Sequence, residues 1–295
     1  MAIVESGTVE EEGSRVDRWA CEHFLRLPSR KSARKASKRG DLLLNGAPVE
    51  SSRFVKRGDV VELHAEDIER PANFLVPEVV YIDPHMAIVI KPPGVLTNGS
   101  KYRTLERGLP NAMKRSPEPD ALAAARPVHR LDYETWGLVV VARTQRAMVA
   151  LGRAFEERQV HKTYRAVVAG RLEGSGRIDA PIEGREAVSR YEALSHTRSL
   201  KVEWITDVQL HPETGRTHQL RRHLQGIGHA ILGDSRYDHG PVLRKRGLFL
   251  AAVGLQLPHP IDGTPLSFAV DPPPKFATFL AHQVVRWAKF HPDEA

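Results

Sequence analysis

From Val79 onward, short apolar runs alternate with glycine- and proline-rich breaks, a texture that predicts strands. Residues 79–82 and 87–90 flank a turn at Asp83 and Pro84, and further strands are predicted over 137–142, 162–168, 200–210, 248–257 and 266–270. Helical spacing is confined to 144–158, 219–225 and 274–290. The last of these sets Phe276, Phe279, Leu280, Val284 and Trp287 on one stripe, which predicts core packing. Strands that outnumber helices without regular βαβ alternation predict a mixed, largely antiparallel α+β domain. The first part of the chain has a different texture. Ser29 is a helix N-cap and Gly40 a stop, bracketing a helix over 30–39. A strand over 41–44 then enters a tight turn at Asn45 and Gly46, and a turn at 57–59 feeds a strand over 60–63. The expected organisation is an acidic N-terminal tail (1–13), a small α/β unit (14–65), a linker (66–77) and the α+β domain (78–295).

The 295 residues, 41% hydrophobic and 27% charged, suffice for two folded units and exclude a disordered chain or a disulfide scaffold. No apolar run spans a bilayer, and Glu5, Glu10, Glu11 and Glu12 stand where a secretory signal would be basic and then apolar. A cytoplasmic protein, not bound to a membrane, is expected. The single cysteine, Cys21, excludes an intrachain disulfide and a thiolate metal site, and is expected to be a small buried apolar residue. The net charge of +7 lies between Arg15 and Asp59, where twelve basic residues face five acidic ones, a surplus of seven. Arg30, Lys31, Arg34, Lys35, Lys38 and Arg39 share one half of the 30–39 helix, with Ala33 and Ala36 on the other. A solvated face would carry acids at helical spacing, and this helix has none, so a phosphate-binding face is predicted.

There is no phosphate-binding glycine loop, dinucleotide fingerprint, zinc-protease motif or nucleophile elbow. The histidines, among them His129, His218 and His223, lack metal-ligand spacing and are expected to be structural or to face substrate, with no metal. Two dense polar segments remain. His129-Arg130-Leu131-Asp132-Tyr133-Glu134-Thr135 precedes the apolar strand at 137–142, and Gly215-Arg216-Thr217-His218-Gln219-Leu220-Arg221 turns into a helix. Loops at the edge of a buried strand hold side chains rigidly yet accessibly, although His-Arg-Leu-Asp alone is also compatible with an ordinary turn.

Together these segments resemble the RluA-type family of pseudouridine synthases. The resemblance rests on His129 to Leu138, on Lys162-Thr163-Tyr164, on Gly215 to Arg221 continued by Ile227-Gly228-His229 and Gly233-Asp234, and on the early Lys91-Pro92-Pro93-Gly94 turn. The basic unit is similar to the RNA-binding domain of ribosomal protein S-four. The resemblance implies isomerisation of uridine to pseudouridine in structured RNA by a monomer without cofactor, with large-subunit ribosomal RNA as the expected substrate and transfer RNA as the alternative. It implies Asp132 as the catalytic carboxylate, acting on C1′ or on a sugar proton, Arg221 as its partner and Tyr164 as the aromatic residue that packs on the base and takes the C5 proton. Arg130, flanked by His129 and Thr135, is implied to fill the gap left by a flipped nucleotide. Trp136, where the family usually has Ser or Thr, is expected to alter the pocket wall or RNA contact, and together with Arg222, where an apolar residue is more usual, it bears on substrate choice rather than reaction type. A non-catalytic RNA-binding protein would need only the basic unit, and a nucleoside hydrolase would have no use for its phosphate-binding helix.

Overall fold

The computed structural model describes residues 2–24, 26–27, 29–65, 75–99, 103–237 and 246–292. The first part contains β1 (Ala2–Thr8), α1 (Val16–His23), α2 (Arg30–Arg39), β2 (Leu42–Leu44), β3 (Ala47–Pro48) and β4 (Val60–Ala65), with a sheet ordered β1-β4-β2-β3. The helices α1 and α2 bury Val16, Trp19, Ala20, Ala33 and Ala36 against Leu42, Val61 and Leu63. Local chemistry defines α2. The Ser29 hydroxyl accepts the Ser32 N–H, the Ser32 hydroxyl caps the Ser29 N–H in return, and Gly40 ends the helix at φ 78°. The expected acidic tail is instead largely a strand: β1 pairs antiparallel with β4 from Ala2↔Ala65 to Thr8↔Val60, and Val4 packs on the core. Only Glu10 to Glu12 project freely, in the exposed bend beyond Val9. Cys21 is half-buried, its thiol donating to the Arg18 carbonyl at 3.2 Å, and so is not the core residue expected. Most of the expected linker, 66–74, lies outside the described residues.

The remainder comprises β5 (Glu78–Ile82), β6 (Met86–Lys91), α3 (Leu105–Ala112), β7 (Ala121–Pro127), β8 (Trp136–Thr144), α4 (Gln145–Glu156), β9 (His161–Ala169), β10 (Ser175–Ile178), β11 (Ser189–Ser199), β12 (Glu203–Pro212), α5 (Gln219–Gly226), β13 (Leu250–Pro258), β14 (Pro265–Ala269) and α6 (Lys275–Phe290). The sheet runs β10-β11-β12-β9-β13-β8-β6-β5, with β14 added on β13 and β7 on β8. Every pairing between these strands is antiparallel except β13 with β8, which consists of Ala251↔Trp136 and Ala252↔Gly137. This is the α+β architecture read from the sequence. Both β6 and β8 are buried on both faces, so they read as continuous apolar runs rather than alternating ones. The strand expected over 200–210 starts only at Glu203, because residues 200–202 turn the β11–β12 hairpin. On α6, Phe276 and Phe279 are buried but Val284 is 56% exposed, so the apolar stripe is narrower than its spacing predicts. Among the described residues, no helix is long and apolar enough to cross a membrane.

Candidate active site

The loop from β7 into β8 carries the first polar segment, and its backbone is fixed at two points. Thr97, buried at 3% exposure, both accepts the Leu131 N–H (3.1 Å) and donates to the Leu131 carbonyl (3.2 Å). One residue beyond Asp132, the Tyr133 carbonyl accepts from the Gly94 N–H (2.8 Å) and from Lys91 Nζ (3.2 Å). Lys91 is fully buried, and Nζ also donates to the carbonyls of Pro92 (3.0 Å) and Val95 (2.7 Å). Burial pushes its ammonium down to about 8, partly countered by the charge of Asp132. Asp132 thus projects from a clamped backbone, while its own carboxylate accepts no hydrogen bond from a described residue.

The second segment faces it from the start of α5. Gln219 organises the turn: its carbonyl accepts from Thr214 Oγ1 (2.7 Å) and the Arg216 N–H (2.9 Å), and its amide donates to the Val188 carbonyl (2.8 Å) and Ser189 Oγ (2.9 Å). The turn aims Arg221 at Asp132, with Nη1 3.7 Å from Oδ2, and His218 approaches from the side, with Nε2 3.9 Å from Oδ1. Arg221 is anchored elsewhere. Its Nε and Nη2 donate to the two carboxylate oxygens of Asp234 at 2.7 and 2.8 Å, and Nη2 lies 3.7 Å from Glu134. Burial opposes the Arg221 charge, but the hydrogen bonds and charge of Asp234, with help from Asp132 and Glu134, hold its pKa above the ordinary value. Burial of Asp234 would raise its carboxyl, and the Arg221 guanidinium together with the N–H groups of Arg236 and Tyr237 brings it below the usual range. The pairing of Arg221 with Asp132 expected from the resemblance is therefore present but longer than its contact with Asp234. Asp234, present in the sequence as part of Gly233-Asp234, is the tighter partner that a linear reading could not rank.

Tyr164 enters from β9, where it pairs with Leu210 and Ala252. Burial and the negative charge of Asp132 both push its phenol upward. Asp132, Tyr164 and Arg221 line one cleft of about 530 Å³ with Arg130, Lys162, Phe155, Arg158, Arg216 and His218. Arg130 is exposed at this cleft, and Thr135, at 2% exposure, closes the Asp132 turn through its N–H to the Asp132 carbonyl at 3.1 Å. His129 stacks on Phe155 (centroids 4.8 Å apart), and its Nε2 accepts the Val140 N–H (2.9 Å). Burial, reinforced by the charge of Lys162, pushes it down to about 3, so it is a neutral anchor between loop and strand. His223 is likewise structural, between Ser189 Oγ and the Ala180 carbonyl at 3.0 Å each. Trp136 is not among the residues lining the cleft, and its side chain packs against two of the hydrophobic cores. Arg222 points away to Glu183 at 2.9 Å.

A carboxylate, a partly buried phenol and an anchored guanidinium thus meet around one cleft. Sequence and structure comparisons give the class. The family described as RNA pseudouridylate synthase matches residues 85–226. Ribosomal large subunit pseudouridine synthase D of Xylella fastidiosa is 32% identical over 91% of this chain and 88% of its own. The dual-specificity RNA pseudouridine synthase RluA of Haemophilus influenzae is 35% identical over 65% of this chain and 91% of its own. Among solved structures, human RNA pseudouridylate synthase domain containing 4 superposes with a TM-score of 0.58 at 25% identity, over 70% of this chain and 92% of that one. The human domain-containing 1 protein gives 0.56 at 27% identity, over 68% and 86%. The chain is thus an isomerase that acts on RNA. It belongs to the RluA-type family of RNA pseudouridine synthases.

Proposed function

We propose that this enzyme isomerises uridine in large-subunit ribosomal RNA, with Asp132 as the reacting carboxylate. The carrying observation is the contrast at that residue: the backbone on both sides is clamped by Thr97, Lys91 and Gly94, while the carboxylate, free of hydrogen bonds from described residues, faces the cleft with Arg221 and His218 at 3.7 and 3.9 Å. The names of the synthase D relatives support the ribosomal substrate. In the reaction the C1′–N1 bond breaks, the uracil turns and C5 bonds to C1′. Asp132 either attacks C1′, as in a retaining glycosidase, or removes a sugar proton to form a glycal. Arg221, held by Asp234, fixes the direction of that carboxylate. The C5 proton must then leave. Tyr164 is held as a neutral phenol, so it accepts this proton only while passing on its own, a relay role at the base. Arg130, exposed at the cleft, occupies the space vacated by the flipped nucleotide, with His129 and Thr135 fixing its loop.

The N-terminal unit supplies RNA affinity as an S-four-type domain. Three of the six basic residues on α2 already meet acids: Arg30 and Arg34 reach the buried Asp17 of α1 at 3.2 and 2.8 Å, an acid contributed by another helix and so not legible in the spacing of α2 itself. Arg39 meets Asp41 at 2.6 Å. Lys31, Lys35 and Lys38 remain exposed as the phosphate-facing set.

The test is to map pseudouridines in ribosomal and transfer RNA from cells with the gene, without it, and with Asp132→Asn. A large-subunit pseudouridine that disappears with the gene and returns only with the unaltered protein is expected. Its disappearance from transfer RNA alone would overturn the substrate assignment. Restoration by Asp132→Asn would overturn the role of Asp132.

A further inference from the structure

On β9, Lys162 and Tyr164 stand two residues apart, so both side chains leave the same face of the strand, and both line the cleft. The other enclosed cations at this site are satisfied. Lys91 gives its protons to three carbonyls, and Arg221 is gripped by Asp234. At the rim, Arg158 meets the Glu186 carboxylate at 3.2 Å, Arg216 donates to the Glu186 carbonyl at 2.9 Å, and Arg130 is exposed to water. Lys162 differs from all of these. It is largely withdrawn from solvent, yet it makes no hydrogen bond or ion pair with any described residue. Burial alone pushes its ammonium below the ordinary value, with no carboxylate pulling it back. The neighbouring ring of His129 is neutral and accepts from backbone, so it competes for no anion. A partly buried cation without a partner costs stability, and enzymes retain such groups where negative charge develops during reaction.

Two anions come within reach of this position in a pseudouridine synthase, a backbone phosphate and the uracil itself. Placement favours the uracil, because Lys162 stands two residues from Tyr164 on the same face of β9 and is partly withdrawn from solvent, whereas Arg130 and Arg158 are exposed and better placed for a phosphodiester chain. We propose that Lys162 is a catalytic residue that stabilises the departing uracil by donating a hydrogen bond to one of its carbonyl oxygens. When the C1′–N1 bond breaks, its electron pair stays on the uracil and spreads onto O2 and O4. The ammonium holds that charge without giving up its proton until C5 bonds to C1′, after which the C5 proton is lost and N1 is protonated. This inference rests on the reading of Asp132 and Tyr164 as the reacting groups.

The test uses the full-length protein with uridine- and 5-fluorouridine-containing RNA under single-turnover conditions. Lys162→Met is expected to slow conversion of uridine by about 10²- to 10³-fold, the loss typical of one donor to developing negative charge. RNA affinity and its salt dependence should stay unchanged, the melting temperature should equal or exceed that of the unaltered protein, and Lys162→Arg should restore part of the rate. The electron-withdrawing fluorine stabilises the uracil anion by itself, so the variant's deficit in consuming 5-fluorouridine should be smaller than with uridine. A merely structural defect would slow both substrates equally, and that result overturns the proposal. Weaker binding with a salt slope shallower by roughly 0.7 and an unchanged rate would identify a phosphate contact instead and also overturns it. Activity in Asp132→Asn would remove the underlying reading, an outcome separate from any behaviour of Lys162 variants.

Discussion

Replacing Asp234 by Asn tests whether Arg221 is held in place for Asp132. Both partners are buried, at 1% and 4% exposure, and joined by two hydrogen bonds of 2.7 and 2.8 Å. Removing one charge of such a pair costs about 3–5 kcal/mol. Asn retains an oxygen for the Arg236 and Tyr237 N–H groups, and Arg221 retains Asp132 and Glu134 at 3.7 Å, so the lower end, about 3 kcal/mol, applies here. At roughly 2–4 °C per kcal/mol for a domain of this size, the melting temperature should fall by about 6–12 °C. The guanidinium, released on one side, should close on the Asp132 carboxylate and turn it from its working direction. A displacement of about 1 Å at a reacting group costs on the order of 10²-fold in rate, which single-turnover release of tritium from C5-labelled uridine would register. The pH dependence has a defined sign. Because the folded-state carboxyl of Asp234 lies below its unfolded value of about 3.9, its stabilisation is complete above that pH and is lost as pH falls through the folded value. The unaltered protein should therefore lose stability more steeply than Asp234→Asn below about pH 4. Unchanged melting and unchanged rate would refute the anchoring role, and destabilisation without any rate loss would refute its link to Asp132.

Tyr164→Phe keeps the aromatic surface but removes the relay hydroxyl, so tritium release should slow at least about 10²-fold while RNA affinity survives; undiminished release would remove Tyr164 from proton transfer. Lys91→Met should cut the rate by about tenfold or more by loosening the carbonyl clamp beside Asp132, measured by single turnover on protein verified as folded. Since the Lys91 ammonium is depressed to about 8, its burden on the folded state lifts as pH rises from about 8 toward its ordinary value of about 10.4, and the accompanying gain in stability should be absent from the variant's denaturation profile. Lys31→Gln, Lys35→Gln and Lys38→Gln combined should flatten the plot of log affinity against log salt by roughly 0.7–0.9 per lost phosphate contact, and more than Arg30→Gln with Arg34→Gln, whose side chains already serve Asp17. Equal slopes for both sets would contradict the division of α2 into anchoring and phosphate-facing residues.

What the sequence disclosed depended on how local the cause was. The helix α2 was legible because Ser29 and Gly40 act on their own neighbours, and β6 and β8 because burial on both faces leaves an unbroken apolar run. By contrast, β11 alternates Ser, Arg, Glu and His with few apolar residues and becomes a strand through its ladder with β12. The helix α3 was hidden by Gly108 and Pro110 within it, and β1 by its glutamate among small residues. The site divides in the same way. Asp132, Tyr164 and Arg221 stood in recognisable short motifs. The double hydrogen bond from Thr97 to Leu131, the reach of Lys91 to Tyr133 and the stronger claim of Asp234 on Arg221 are contacts between distant segments, and no spacing along the chain encodes them.

The parallel junction of β8 with β13 has a mechanical meaning. Two residue pairs join the half-sheet that carries the Asp132 loop to the half-sheet that carries Tyr164 and, through its packed helix, Arg221. At Gly137, φ is +133°, and a Cβ there would stand 2.1 Å from the Ala252 carbonyl oxygen, so the halves approach as closely as backbones can. The separation of carboxylate from phenol is thereby set by a seam narrower than either plate it joins. Any side chain at position 137 would act as a wedge, opening the gap between that carboxylate and that phenol from its base without touching either.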